Sequence, residues 1–137
     1  MKYVLDTTAF SAIMRRDKYL LTFLKEYRPG DIATVPPVVA EIHYGIKRLD
    51  NFSKKYLLLQ LERDRLLSII KVLSWLPGSS EYFGSIKADL ESREKIIDDF
   101  DIAIAAIAIS HKYGVITDNM DHFRRINGLE SKSWNIS

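Results

Sequence analysis

Residues 102–109 read Ile-Ala-Ile-Ala-Ala-Ile-Ala-Ile, a run in which every side chain is apolar. A helix that is apolar on nearly every face has to be buried on most sides, so this run predicts a buried central helix. Asp98 or Asp99 is expected to cap its start, and Gly114 is expected to end it. The strand Val115-Ile116-Thr117 follows directly. Helix, glycine and strand in this order are typical of an α/β fold with a parallel sheet.

The same alternation extends over the rest of the chain. Strands are expected at residues 2–5, 32–35, 69–73 and 115–117, with a short extended piece ending near residue 134. Helices are expected at 7–25 (one broken or two short), 36–49, 53–67, 79 or 80 to 90, and 98 or 99 to 112. Residues 69–73 have a helical continuation as their alternative. Without internal repeats or linkers, residues 1–137 are expected to form a single domain.

Composition excludes several classes of function. The 137 residues include no cysteine, which rules out disulfides, thiolate zinc sites and a cysteine nucleophile. No secretory signal is visible, and the longest apolar run is too short to cross a bilayer. We therefore expect a soluble, cytoplasmic protein. A net charge of +2 is compatible with a nucleic-acid partner but is weak evidence alone.

Three carboxylates stand at junctions where strands end or helices begin. Asp6 follows the apolar run Tyr3-Val4-Leu5, Glu41 comes shortly after Pro36-Pro37, and Asp101 opens the apolar helix. The carboxyl ends of parallel strands converge at one edge of a sheet, where ligands bind. Oxygen ligands of this kind suit hard divalent cations, so the three acids predict a Mg²⁺ or Mn²⁺ site.

Each acid also has a purely structural interpretation. Asp6 is placed to cap the next helix, although Thr7 and Thr8 could cap it instead and leave Asp6 free. Glu41 lies at the border of an apolar stripe, where a glutamate is normally solvated, but Gly45 one turn later leaves space beside it. The helix dipole favours Asp101 in a first turn, although an unpaired carboxylate near the sheet would be costly without a cation.

A polar cluster, Thr117-Asp118-Asn119-Met120-Asp121, closes the strand before it and could complete the site. The alternative is an ordinary turn, for which Asp-Asn is common. The three histidines show no spacing typical of metal ligands. His43 falls on the far side of its helix and is interpreted as a surface residue.

Basic residues occur in clusters at Arg15-Arg16-Lys18, Lys47-Arg48, Lys54-Lys55 and Arg124-Arg125. Solvated helix faces are the simplest account of any single cluster. Three of the four nevertheless lie within a few turns of the acidic junctions, where phosphates would need cationic support. A nucleic-acid backbone is therefore a plausible ligand, and Arg15 and Arg16 are the first candidates to bind its phosphates.

Four motifs in register resemble those of PIN-domain ribonucleases, and in particular VapC-type toxins of toxin–antitoxin pairs. They are Val4-Leu5-Asp6-Thr7-Thr8, the segment from Val39 to Ile46, Phe100 to Ala106, and Thr117-Asp118-Asn119 before Phe123. The resemblance implies a PIN-like three-layer α/β/α sandwich around a central parallel sheet. It further implies a Mg²⁺- or Mn²⁺-dependent endoribonuclease that forms a homodimer and is inhibited by a VapB-like antitoxin.

The resemblance also assigns roles by position. Asp6, Glu41 and Asp101 match the three family acids expected to hold the metal, and Asn119 matches the fourth polar position. Thr117 matches the small hydroxyl that supports the site; the remaining candidate supporting residues are Thr7, Asp118 and Asp121. The chain departs from the pattern in two places. Thr8 stands where the family often has asparagine, and Arg93-Glu94 replaces a frequent glycine.

Two other functions use similar acids. A Mg²⁺-dependent α/β phosphatase or phosphotransferase is one, but a dehalogenase-like site expects a second aspartate where Thr8 stands. A non-catalytic PIN module that binds nucleic acid is the other, and the intact acids argue against it. In the nuclease hypothesis, the metal orients and deprotonates a water for attack on a phosphodiester.

The helix around Tyr56-Leu67 carries more apolar residues than one helix stripe usually buries. We therefore expect its apolar face and that of the Phe10-Ile13-Met14 helix to line a groove filled by a partner peptide. An ordinary core or dimer contact is the alternative.

Overall fold

The computed structural model describes residues 1–135, and at its centre lies a parallel sheet of five strands in the order β3-β2-β1-β4-β5. The strands are β1 (Tyr3–Leu5), β2 (Ile32–Thr34), β3 (Lys71–Val72), β4 (Gly114–Ile116) and β5 (Ser131–Lys132). The helices are α1 (Thr7–Met14), α2 (Lys18–Leu24), α3 (Pro36–Lys47), α4 (Lys54–Leu67), α5 (Pro77–Ser92), α6 (Asp99–Ser110) and α7 (Met120–Phe123). The prediction of a central parallel sheet flanked by helices is confirmed. Residues 136 and 137 of the predicted domain lie outside the described part.

β1 is the middle strand, and its position explains where the acidic site forms. Val4 pairs with Ala33 of β2 on one side and with Val115 of β4 on the other. All three side chains are buried, as expected for a parallel sheet with both faces covered. The residue after β1 is Asp6, which therefore emerges at the carboxyl edge between two neighbouring strands.

α6 is the buried helix that the apolar run predicts. Residues 102–108 are all buried, and the carboxylate of Asp98 caps the helix by accepting from the backbone N–H of Phe100 at 2.8 Å. The helix ends at Ser110, two residues earlier than expected. Because α6 packs against α3 as well as α5, its first turn is held beside the carboxyl edge of the sheet.

Gly114 does not end α6; it is the first residue of β4. A Cβ at this position would come within 2.6 Å of the Tyr3 ring, so the close approach of β1 requires a glycine. The turn out of α6 is made instead by Lys112, which has a positive φ of 64°. Glu94, at the position where the family often has glycine, also has a positive φ of 56°. This departure therefore affects the conformation of a turn.

The other boundaries differ from expectation in small ways. Residues 7–25 form two helices, and Asp17 caps the second of them. α5 begins at Pro77, because proline suits the first helical position and the Ser79 hydroxyl accepts from the backbone N–H of Leu76. The strand expected within residues 69–73 is confirmed, although β3 is confined to Lys71–Val72. The short helix α7 was not expected.

Among the described residues, no helix combines the length and apolarity needed to cross a membrane.

Candidate active site

Asp6 is buried at the end of β1, and both of its carboxylate oxygens are hydrogen-bonded. Oδ1 accepts from the Thr8 hydroxyl at 2.6 Å and from the backbone N–H of Ala9 at 2.9 Å, and Oδ2 accepts from the Thr117 hydroxyl at 2.5 Å. The bond from Ala9 makes Asp6 the N-cap of α1. The idea that Thr7 or Thr8 caps this helix and frees Asp6 is therefore wrong. One side chain caps the helix and also lies at the acidic edge.

Burial raises the pKa of Asp6 from 3.8 to about 6. Removal from water disfavours the charged carboxylate, and repulsion from Asp101 acts in the same direction. The donors Thr117, Thr8 and Ala9 oppose the rise because they stabilise the charged form. All three are neutral, so a buried negative charge at this position lacks a compensating positive charge from the residues that bind it.

The two threonine hydroxyls connect Asp6 to the turn after β4. Thr8 Oγ1 accepts from the backbone N–H of Asp118 at 2.8 Å, and Thr117 Oγ1 accepts from that of Asn119 at 2.7 Å. A hydroxyl that accepts from an N–H can still donate its own proton, and both donate to Asp6. Thr8, which stands where the family often has asparagine, thus joins the first turn of α1 to the turn after β4 and orients one carboxylate oxygen.

Glu41 lies in the second turn of α3, and its side chain is turned toward the same edge. Its Oε1 accepts from the Thr7 hydroxyl at 2.5 Å, which ties α3 to the first residue of α1. Partial burial raises the pKa of Glu41, the Thr7 bond opposes this, and repulsion from Asp101 and Asp98 adds to the rise. The structure therefore brings Glu41 close enough to Asp101 for their charges to interact.

Asp101 lies in the first turn of α6, with 19% of its side chain exposed. Burial raises its pKa, and His122 opposes the rise. The His122 Nδ1 atom is 2.8 Å from Asp101 Oδ2. Asp6, Glu41 and Asp101 thus share one edge of the sheet, and each has a raised pKa because the charged form is partly removed from water.

Sequence reasoning missed His122. Its Nδ1 also lies 2.8 Å from the side-chain amide of Asn119, three residues earlier. A single ring nitrogen either donates a hydrogen bond or accepts one. An ionised Asp101 can only accept, so Nδ1 of His122 must carry the proton and donate it. The Asn119 side chain is therefore best oriented with its amide oxygen, which accepts, toward the ring. The signal that could have found His122 is this i, i+3 spacing at the start of a short helix.

Asp118 and Asp121 extend away from the three acids. The Asp118 carboxylate accepts from the side-chain amide of Asn135 at 2.6 Å. Asp121 is highly exposed and pairs with Arg125 at 3.0 Å, one helical turn later. In the described part of the chain neither carboxylate is hydrogen-bonded to Asp6, Glu41 or Asp101. Asp118 contributes to the site through its backbone N–H, which donates to the Thr8 hydroxyl.

Arg15 and Arg16, the candidate phosphate ligands, lie in different surroundings. Arg15 lines a groove that Glu41 also lines. Arg16 has a positive φ of 57°, extends into solvent with 73% of its side chain exposed, and lies 3.8 Å from Glu62. The prediction that His43 is a surface residue is confirmed: it is exposed and its ring contacts Arg63.

The expected peptide groove differs from the observed one. Phe10 and Ile13 are buried in the core and do not line it. The observed groove, of about 350 Å³, lies between α1, α3 and the start of α4, and we call it the α1–α3–α4 groove. Its lining residues are Thr7, Ser11, Met14, Arg15, Glu41, Ile42, Gly45, Ile46, Arg48, Lys55 and Leu59. The exposed leucines of α4, which are Leu57, Leu58 and Leu61, do not line it.

The three acids fit a hard divalent cation by their chemistry. They offer only oxygen donors, and a cation would offset the charge that burial and mutual repulsion now disfavour. Within residues 1–135, however, no three acidic or histidine side chains are close enough to bind one ion together. Coordination partly through water, which Mg²⁺ commonly retains, is compatible with this spacing.

Comparison with known proteins agrees with the geometry. A model of the PIN domain matches residues 3–129. The ribonuclease VapC2 of Rickettsia felis is 29% identical over 136 residues, with 98% of each chain covered. The ribonuclease VapC2 of Haemophilus influenzae is 27% identical over 134 residues, again covering 98% of each.

A solved structure shows the same fold. The crystal structure of VapBC2 from Rickettsia felis, bound to a DNA fragment from its promoter, contains a chain that is 29% identical. The TM-score is 0.83, and the match covers 98% of this chain and 100% of that one. The expected PIN-like sandwich is confirmed. Since the family model spans nearly the whole sequence, this chain belongs to the PIN domain family.

Proposed function

We propose that this PIN domain is a metal-dependent endoribonuclease and the toxin of a VapBC-type toxin–antitoxin pair. The relatives named above are ribonucleases VapC, and PIN-domain ribonucleases are in general metal-dependent. The observation that carries the proposal is Asp6: a buried carboxylate held by three neutral donors and repelled by Asp101. Such a group is poised for a cation, because an uncompensated buried charge is unfavourable.

Asp6, Glu41 and Asp101 would hold the ion, directly or through its waters. Mg²⁺ is the proposed ion and Mn²⁺ its substitute, because both prefer oxygen ligands. When bound, the ion supplies a Lewis acid that activates water and neutralises charge on the phosphodiester. The chain's own residues do the positioning: Thr8 and Thr117 orient Asp6, and Thr7 orients Glu41.

Asn119 and His122 complete the proposed site on the other side of Asp101. His122 holds the Asp101 carboxylate and contacts the amide of Asn119, so the two residues fix one oxygen of the acid. Neither residue supplies a carboxylate oxygen to the ion. Thr8 occupies the position where a dehalogenase-like phosphatase would carry its second aspartate and donates to Asp6, which favours the nuclease over that alternative.

The remaining features of the proposal come from the relatives. The VapBC complex of Rickettsia felis pairs a VapC chain with its antitoxin, and we propose a VapB-like antitoxin and a homodimer here. The exposed leucines of α4 form the proposed antitoxin surface. Arg15, with Arg16 beside it, is proposed to bind RNA phosphates. We further propose that the chain acts as a single domain in the cytoplasm.

Purified protein tests the function directly. Structured RNA should be cut in Mg²⁺ or Mn²⁺ and not in EDTA, and the Asp6→Asn variant should be inactive in all three conditions. Mg²⁺ should also raise the melting temperature by mass action, and the double variant Asp6→Asn with Asp101→Asn should lose that shift. An unchanged shift in the double variant would show that the ion binds elsewhere. A non-catalytic module would bind RNA without cutting it in any ion.

A further inference from the structure

The α1–α3–α4 groove contains three cations from three different elements. Arg15 follows the last turn of α1, Arg48 follows the last turn of α3, and Lys55 lies in the first turn of α4. All three are exposed residues that line this one groove. Their convergence is a product of the tertiary fold, because forty positions separate the first from the last.

None of these three side chains has a counter-ion within residues 1–135. Some other basic residues of the described part are paired, among them Arg65 with Glu62, Arg93 with Asp89 and Arg125 with Asp121. The one carboxylate that lines the groove is Glu41, whose Oε1 already accepts from Thr7. Three like charges around one cavity repel each other unless an anion lies between them.

Helix dipoles account for only part of this arrangement. Cations at helix C-termini are favoured, which would explain Arg15 and Arg48 without any ligand. Lys55 lies at the opposite end of a helix, where the dipole disfavours a positive charge. An anion bound in the groove removes this difficulty, because it attracts Lys55 together with the two arginines.

The same groove includes part of the acidic edge. Glu41 and its partner Thr7 line it together with the three cations, and Gly45 lies between Glu41 and Arg48 on α3. A Cβ added at Gly45 would meet nothing within 4 Å, so the middle of the groove is open. Met14, Ile42 and Leu59 supply an apolar lining. A volume of about 350 Å³ falls within the range of small-ligand sites.

We propose that the α1–α3–α4 groove is a subsite for single-stranded RNA, in which Arg15, Arg48 and Lys55 bind backbone phosphates next to the bond that is cut. The proposal rests on the proposed ribonuclease function and adds the path of the strand. Cationic grooves that follow one backbone, with apolar surface for the bases, are typical of single-strand binding. The excess of positive charge favours a polyanion such as RNA over a neutral or basic peptide as the occupant.

Basic residues that are adjacent in the sequence differ in whether they line the groove. Lys54 precedes Lys55 on α4, is exposed and does not line the groove, and Lys47 precedes Arg48 and donates to the Tyr56 hydroxyl at 3.1 Å. Arg16 follows Arg15 but lies near Glu62. Lys54 and Lys47 therefore serve as charge-matched controls for Lys55 and Arg48.

The test measures binding of a labelled single-stranded RNA of about eight nucleotides. It is made in EDTA and in the Asp6→Asn background, so that no strand is cut. Lys55→Ala and Arg48→Ala should each weaken binding about tenfold, because each removes a charged contact. Each should also reduce the slope of log affinity against log salt by about 0.7. Lys54→Ala, which removes the same charge at the adjacent position, should leave the affinity and the slope unchanged.

Two results would overturn the subsite. Equal losses in Lys54→Ala and Lys55→Ala would show diffuse attraction by the whole face. Unchanged RNA binding in Lys55→Ala, with weakened binding of a co-expressed antitoxin, would show that the groove holds a peptide. The function is tested separately, since loss of cleavage in Asp6→Asn alone does not depend on the groove. Melting temperatures should match among the alanine variants, because all of these positions are exposed.

Discussion

The Thr117 hydroxyl donates to Asp6 Oδ2 at 2.5 Å, joining residues 111 positions apart in the chain. Both side chains are buried, and they follow neighbouring strands, β4 and β1. The bond therefore fixes the orientation of the central acid from the strand beside it. The same hydroxyl accepts from the backbone N–H of Asn119, so it also holds the turn in which Asn119 lies.

Thr117→Val should reduce both stability and cleavage. The substitution keeps the shape of the side chain but leaves Asp6 short of one donor and the Asn119 N–H without its partner. Each unpaired buried group costs about 1–3 kcal/mol, which urea unfolding measures. Thr117→Ser retains the hydroxyl and serves as the control. Equal stability of the valine and serine variants would show that this bond contributes nothing to the fold.

The pKa of Asp6 predicts how stability depends on pH in metal-free protein. The folded-state value of about 6 exceeds the unfolded value of 3.8, so the folded state binds more protons between these limits. The contribution of Asp6 is therefore complete below pH 3.8 and is lost as pH rises to about 6. The loss amounts to about 3 kcal/mol. Urea unfolding in EDTA across this range measures it.

The Asp6→Asn variant isolates this effect, because asparagine does not titrate. The difference in unfolding free energy between the original protein and the variant should fall as pH rises through the same window. A difference that rises with pH would mean that the folded state stabilises the ionised Asp6, contrary to its burial among neutral donors.

His122 is expected to act as a positioning residue for Asp101. Its ring contacts both Asp101 and Asn119, so His122→Ala should release the Asp101 carboxylate. Loss of such a partner around a metal site typically lowers metal affinity or activity by 10–100-fold. Titration of the melting temperature with Mg²⁺ reports the change in ion affinity, independently of cleavage. His122→Asn, which can still donate to the carboxylate, should recover part of the loss.

The outer face of α4 is expected to bind the antitoxin. Leu57, Leu58 and Leu61 each expose more than half of their surface, which leaves an apolar patch that nothing within residues 1–135 covers. Leu57→Asp should therefore weaken co-purification with the antitoxin while leaving the fold intact. Lys54→Gln, one turn earlier on α4, changes the charge by the same single unit and serves as the control. Retained antitoxin binding by Leu57→Asp would place the partner on another surface.

The residues alone were sufficient to predict the α/β order and the position of the acids. The apolar run at 102–109 indicates a buried helix, and the short apolar strands before Asp6 and Thr117 indicate a sheet covered on both faces. These patterns are local, so they can be recognised in the sequence without knowledge of tertiary contacts. Local pattern alone placed Gly114 at the end of α6, which is wrong. A glycine is required there because the ring of Tyr3, on the neighbouring strand, lies too close for a Cβ.

Contacts between distant segments required the tertiary structure. His122 lacks any ligand spacing in sequence, and it reaches Asp101 because α7 packs against the start of α6. Thr8 links the first turn of α1 to the turn after β4 only because β1 and β4 lie side by side. Likewise, Arg15, Arg48 and Lys55 share a groove while Arg16 and Lys54 do not. Side-chain direction depends on how helices are rotated against the sheet, and packing over the whole chain sets that rotation.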